Sequence, residues 1–314
     1  MENTSIIIGR VVIILIVVAG FLKFNHYKKT VRIKDDELKN IETSDEIIFT
    51  DIKNTTVSKI YGCIILIGIA STYLYSIASD DGTYLLITIL ISLIYIFFSS
   101  RYTNKSFKDF AAENRFYYQK EGMVNDASGP IFNLGCPTNF ENIIGLKIKN
   151  HKTLFFHYEY ETGSGKNKSS HYFTILEIKF DATFPRILLN PKKSLLETNI
   201  TNEFEGVLDP IEINLDGELC DTHELITEKN FQLEALQIFT PDMIGGLADY
   251  EYLRLDLDNN NVNIIREYAI DNRTDFEKMF KLADYLIEKI DPIKDAVSKS
   301  TKELKDITTK NYLK

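Results

Sequence analysis

Residues Lys152–Phe180 read KTLFFHYEYETGSGKNKSSHYFTILEIKF. Two alternating apolar stretches, Lys152–Thr162 and His171–Phe180, flank a polar centre that holds Gly163 and Gly165. Period-two alternation predicts strands. The string GSGK in the centre looks like the end of a phosphate-binding loop. The choice lies between a nucleotide-binding α/β fold and an antiparallel sheet. A phosphate loop needs G-x-x-x-x-G-K-[ST] between a strand and a helix. Here Asn167 follows Lys166, Tyr160 stands five residues before Gly165, and a strand pattern follows instead of a helix. A hairpin tip also has no helix N-terminus to aim at a phosphate. The stretch therefore reads as a hairpin. Its glycines supply unusual backbone angles, and Lys166 and Lys168 keep the tip solvated. Gly163, Ser164, Gly165, Lys166 and Lys168 form the candidate interaction loop, suited to lipid headgroups or a protein partner.

Working outward, Ile143–Lys149 and Arg186–Asn190 read as further strands, and Ile131–Leu134 as a short one. Phe204–Leu215 reads as a strand pair or a strand bent at Pro210, with a helical turn over Ser194–Thr198 before it. Residues 103–118 carry Phe107, Phe110 and Ala111 on one helical face. Asn230–Phe239 predicts a helix capped by Asn230, with Phe231, Leu233, Leu236 and Ile238 as its apolar face. Thr240-Pro241-Asp242 opens the next helix, with Thr as cap and Pro at the first helical position. YLRLDLD–NNN–VNIIREY predicts a hairpin, and Thr274–Ile290 a final helix interrupted by Pro292. The tail 293–314, with six Lys and three acidic residues, reads as a frayed helix that can touch anionic lipid weakly. Successive strands with helices gathered near the ends indicate α+β with a largely antiparallel sheet.

The first hundred residues read differently. Ile60–Ser79 and Gly82–Ser100 are uncharged for twenty and nineteen residues. That length and composition match membrane-spanning helices. Ile6–Leu22 is a third apolar run with Arg10 near its start, where the side chain can snorkel. It reads as an uncleaved span. A signal peptide with Arg10 as its basic region is the alternative. Eight Lys or Arg lie between Lys23 and Lys59, none in the loop SDDGT, and Arg101, Lys105 and Lys108 follow the third run. The positive-inside rule then places the N-terminus outside and residues 101–314 in the cytoplasm of a bacterial-type inner membrane. The expected organisation is a membrane region over 1–102, an α+β domain over 103–290 and a Lys-rich tail over 291–314.

The chain of 314 residues has net charge −9, and residues 101–314 carry −8 of it. An acidic domain argues against a nucleic-acid partner. Cys63, Cys136 and Cys220 have no disulfide spacing, which fits reduced thiols. Three chemical motifs fall short. Asp256, Asp258, Asn260 and Glu267 match calcium-loop positions, but Asn261 replaces the required Gly and Asn263 the required apolar residue. Cys220 and His223, with His157 and His171 elsewhere, do not make four converging zinc ligands. Gly163-Ser164-Gly165 is not the G-x-S-x-G of a nucleophile elbow. No catalytic residue, cofactor or metal is assigned.

The strings FAAENRFYY, YETGSGKNKSSHYFTILEIKF, FPRILLNPK, FEGVLDPIEI and FQLEALQIFTPDMIGGL occur in this order over residues 107–268. In that order they resemble uncharacterised bacterial membrane proteins with N-terminal transmembrane helices and a cytosolic α+β domain of unknown function. The group usually has Gly where this chain has Arg115, so that turn is expected to differ. The resemblance implies the architecture and no activity. The expected function is a membrane-anchored, cytosol-facing, non-catalytic interaction or scaffold module. The alternative is a membrane-anchored enzyme or transport-associated factor, motivated by His157, Tyr158, Tyr160 and His171 near one hairpin and Asp242 at a helix start. On the simpler reading these are sheet-face aromatics and a cap residue.

Overall fold

The first described helix, α1 over 106–113, closes through a left-handed residue. The N–H of Phe116 donates to the carbonyl of Ala111 at 2.8 Å and that of Arg115 to Ala112 at 3.3 Å. Arg115 itself sits at φ +55°. This paired closure is the usual way a helix is stopped by a residue of positive φ. The predicted helix over 103–118 is thereby corrected: Tyr117–Gly122 is strand β1. The architecture is that of a computed structural model, which describes residues 47–49, 106–124, 127–133, 136–164, 167–192, 209–215, 217, 219–250, 253–268, 270 and 272–312. The three apolar runs lie outside these residues, as do Ser194–Thr198 and residues 204–208 of the stretch Phe204–Leu215. Among the described residues no helix is long and apolar enough to cross a membrane.

The hairpin of the opening stretch forms as expected. β3 (His151–Thr162) pairs antiparallel with β4 (Ser169–Pro191), Thr162 facing Ser169 and Lys152 facing Lys179. β2 (Cys136–Ile148) joins β3 through Lys149 and Asn150, at φ +45° and +71°. A two-residue turn of that hand matches the twist of the strands. β1 lies outside β2. The sheet continues beyond β4 through β6 (His223–Glu228) to β5 (Pro210–Ile213), while β7 (Arg254–Arg266) pairs with β4 on its other side. Every described pairing is antiparallel. The α+β class with a largely antiparallel sheet and flanking helices is what the chain adopts.

Three strand expectations are corrected. His171–Phe180 and Arg186–Asn190 are not separate strands but parts of β4, which is 23 residues long. Pro185 falls where the pairing register with β7 shifts, between Phe184 and Ile187, a position where a strand tolerates proline. The Asn-rich turn Asn259–Asn261 is no hairpin either. β7 runs through it, with Asn259 at φ +52°, and bends rather than reverses. The bend is sharp. Asp256 and Asn263 both come within 4 Å of where a Cβ on Gly129 would sit, although a straight strand would hold them ~20 Å apart. Third, Ile131–Leu134 is not a strand; Pro130–Asn133 is a 3-10 turn.

One face of the sheet buries Phe140, Leu154, Phe156, Tyr158, Tyr160, Phe173, Ile175 and Ile265 beneath Val124 and Ile131. The other meets an aromatic cluster. Phe107 and Phe110 of α1 pack on Phe155 and on Phe276 of α4 (Arg273–Ile290), with Phe110 and Phe276 rings 4.8 Å apart and edge-on. Phe49 joins this cluster, and the Asn114 side chain holds the backbone of Ile48 through two hydrogen bonds of 2.7 and 2.8 Å.

The helix expectations divide. α3 (Pro241–Leu247) begins as expected, with the Thr240 hydroxyl accepting from the Met243 N–H, and Met243, Ile244 and Leu247 are buried. α2 (Gln232–Ile238) differs. Asn230 lies in a preceding 3-10 turn and does not cap it, and its buried face is Glu234, Ala235 and Ile238, with Leu233 and Leu236 exposed. Glu234 is accommodated because Ser300 of α5 (Lys294–Tyr312) donates its hydroxyl to the carboxylate. The tail is thus a helix held against the sheet. Ser298 on it also accepts from the Thr183 N–H at 2.8 Å.

Candidate functional site

The pairing register sets lysines side by side. Lys147 on β2 faces Lys152 on β3, and Lys152 faces Lys179 on β4. Residues directly opposite share a sheet face, and neighbouring strands lie ~4.8 Å apart. Three lysines therefore stand in one row on one sheet face across three strands. Like charges so placed cost about 0.2–1 kcal/mol per pair. Little offsets this. Lys179 Nζ is 3.8 Å from the buried Glu177 carboxylate. Neither Lys147 nor Lys152 makes an ion pair among the described residues.

Two of the three, Lys152 and Lys179, line a cleft of about 700 Å³. Four turns or bends build it: the β2–β3 turn at Lys149 and Asn150, the β4 bend at Phe180 and Asp181, the β7 bend at Asn260, and the α4–α5 junction at Asp291 and Lys294. Lys149 is held by Asp284 at 3.0 Å, and Lys294 by Asp291 at 2.9 Å. His151 crosses the cleft floor, its ring 4.5 Å from that of Phe180. Its Nδ1 lies 3.2 Å from the Lys179 carbonyl and its Nε2 3.1 Å from the Asp291 carboxylate. Both partners are acceptors, so both bonds form together only when each ring nitrogen carries a hydrogen. Burial would raise the Asp291 carboxyl, but the hydrogen bonds from Lys294 and His151 outweigh it and hold the group below its ordinary value. The cleft lining presents four lysines and a histidine against two aspartates, in a chain of net charge −9.

The residues singled out in the sequence lie elsewhere. The candidate loop is at the opposite end of β3 from the Lys149–Asn150 turn. Gly163 is at φ +81°, and a Cβ there would meet the Asn167 carbonyl at 2.2 Å. Lys168 pairs with Glu161 at 2.5 Å. Gly165 and Lys166 lie outside the described residues. The calcium-like residues are spread along β7 and just past it. Asp256 pairs with Arg254 at 3.4 Å and Asp258 with Arg186 at 3.5 Å. His223 is engaged by the Leu253 carbonyl at 3.1 Å, and burial pushes its imidazole down. His157 meets Asn142 and His171 meets Thr162. Tyr158 and Tyr160 are core residues, and burial drives the Tyr158 phenol up. Asp242 stands in the first turn of α3, bound to Lys289.

Sequence reasoning missed the cleft. Lys147 and Lys152 bracket a visible turn, but Lys179 joins them only through the β3–β4 register. The length of the GSGK hairpin was the one available signal, since it sets that register.

No protein-family model matches the chain, and no curated protein matches it. Among solved structures, the crystal structure of the mycobacterial trehalose monomycolate transport factor A, TtfA, is similar at 13% identity and a TM-score of 0.40. The likeness covers 58% of this chain and 92% of that one, and at this level it carries no argument about function.

Proposed function

We propose that this chain is a multi-pass plasma-membrane protein whose cytosolic α+β domain is a non-catalytic binding module, with the lysine-lined cleft as its ligand face. The observation that carries this is the lysine row, two of whose members, Lys152 and Lys179, line the cleft. A costly like-charge alignment is understandable where an anion neutralises it. The cleft lining offers no serine, threonine, cysteine or tyrosine among the described residues, and each His151 nitrogen already faces an acceptor of the protein. Such a lining suits holding a charged group rather than attacking one. The two long uncharged apolar runs and the lysines and arginines flanking them support the membrane location and its orientation. The candidate loop residues Gly163, Ser164, Gly165, Lys166 and Lys168 would supply a second contact, to lipid headgroups or a protein partner.

The test combines topology with charge reversal. Reporter fusions after Lys23, within Ser79–Thr83 and at Lys314 should place the last in the cytoplasm. Anion binding by the full chain should weaken in Lys152→Glu/Lys179→Glu. An external C-terminus, or binding indifferent to the double substitution, overturns the reading.

A further inference from the structure

We infer that the cleft recognises a phosphate-bearing polyanion of small-molecule size, with two or more phosphoryl groups. This rests on the proposed binding module and specifies its ligand. Three features separate phosphate from other anions. The positive side chains are lysines, with no arginine. Arginine's planar fork suits a carboxylate, whereas lysine ammoniums act as point charges and need only charge density. A phosphomonoester supplies that density, with a charge of about −1.5 to −2 and three acceptor oxygens.

The second feature is the number of cations. Lys152 and Lys179 line the cleft from adjacent strands, one strand spacing or ~4.8 Å apart at the backbone, and Lys149 and Lys294 line it too. A single carboxylate can bridge two neighbouring ammoniums. Linked phosphoryl groups carry enough oxygens to engage more of them at once. Lys149 and Lys294 are each paired to an aspartate, and a phosphoryl group would share them with Asp284 and Asp291; the amides of Asn150 and Asn260 can donate to phosphoryl oxygens.

The third feature is size. About 700 Å³ lies within the range of small-ligand sites. The space suits a headgroup or a soluble metabolite, and a polymer strand would have to lie across it. The same chemistry could come from a phosphorylated lipid headgroup or from a soluble phosphate compound.

The experiment titrates inorganic pyrophosphate into the full chain in non-ionic detergent by calorimetry at low salt. Saturable binding is expected. It should weaken at least tenfold in Lys152→Glu/Lys179→Glu and by an intermediate factor in Lys152→Gln/Lys179→Gln. Lys229→Glu, which changes the net charge by as much as the double glutamine variant but on an exposed residue outside the cleft, should alter it less than twofold. A second arm repeats the titration in nanodiscs of phosphatidylcholine with and without phosphatidylinositol phosphate. Loss of pyrophosphate binding only in the latter supports a lipid headgroup; unchanged binding in both supports a soluble ligand. Pyrophosphate binding that survives the double charge reversal overturns the inference. A poly-glutamate peptide separates the two levels of the argument. If that peptide binds through Lys152 and Lys179 while pyrophosphate does not, the phosphate assignment falls and the binding module stands. If neither binds, both fall.

Discussion

Arg115 shows what one residue does to the fold. It closes α1 at φ +55°, a region where a Cβ crowds the backbone and glycine does not. The turn is made with arginine all the same, because α1 and β1 are both anchored in the aromatic core through Phe110 and Phe116. Arg115→Gly should therefore stabilise the chain by about 1 kcal/mol, seen as a higher midpoint of thermal unfolding in detergent. A lower midpoint would mean that the arginine side chain contributes more than its backbone strain costs. Asp291 gives a pH-dependent case. Its carboxyl is held below the ordinary value of 3.8, since the bonds from Lys294 and His151 outweigh burial. A depressed folded value means that its stabilisation is fully present above the unfolded value and is lost as pH falls through the folded one. Asp291→Asn should lower stability at neutral pH, and the gap to the parent should close below about pH 4. A gap that persists at pH 2 would show that the carboxylate charge is not what matters.

At the scale of elements, the bend shared by β4 and β7 builds the cleft. It brings Phe180 and Asp181 toward Asn260 and the α4–α5 junction. Asn259 makes the bend from the left-handed region, which asparagine tolerates and a β-branched residue does not. Asn259→Val should destabilise by about 1–3 kcal/mol. Asn259→Gly should stay close to the parent, since it keeps the backbone and loses only a 3.4 Å contact from Lys305. Pyrophosphate titration of the two variants checks the link to the site: valine should weaken binding and glycine should not. The same bend marks where sequence reading stops. Alternation identifies Lys152–Thr162 and His171–Phe180 as paired strands, because a half-buried strand must repeat every two residues. It cannot tell a turn from a bend, because Pro185 and Asn259–Asn261 are chosen for backbone angles that both require. α2 misleads for a related reason. Leu233 and Leu236 suggest the buried face, yet Glu234 is buried instead because a serine 66 residues later accepts the role of partner. Local pattern carries no record of so distant a contact.

For the whole molecule, the decisive feature is where charge ends up. Composition reports an acidic chain, and this argues against a polyanionic partner. The fold gathers Lys147, Lys152 and Lys179 into one row regardless, through the register of the β2–β3 and β3–β4 pairings. If the row serves ligand binding, it should cost stability when empty and repay it when filled. Lys152→Gln removes the middle charge, which repels both neighbours. At low salt the ligand-free variant should be more stable than the parent by about 0.5–1 kcal/mol. At 1 M salt, where the screening length is ~3 Å, the difference should vanish. Saturating pyrophosphate should raise the parent's unfolding midpoint and raise the variant's much less, because only binding to the folded state stabilises it. Thermal unfolding of parent and variant under these three conditions separates the explanations. A variant less stable at low salt would make Lys152 a structural residue. One that is more stable and still responds fully to pyrophosphate would place the ligand elsewhere on the molecule.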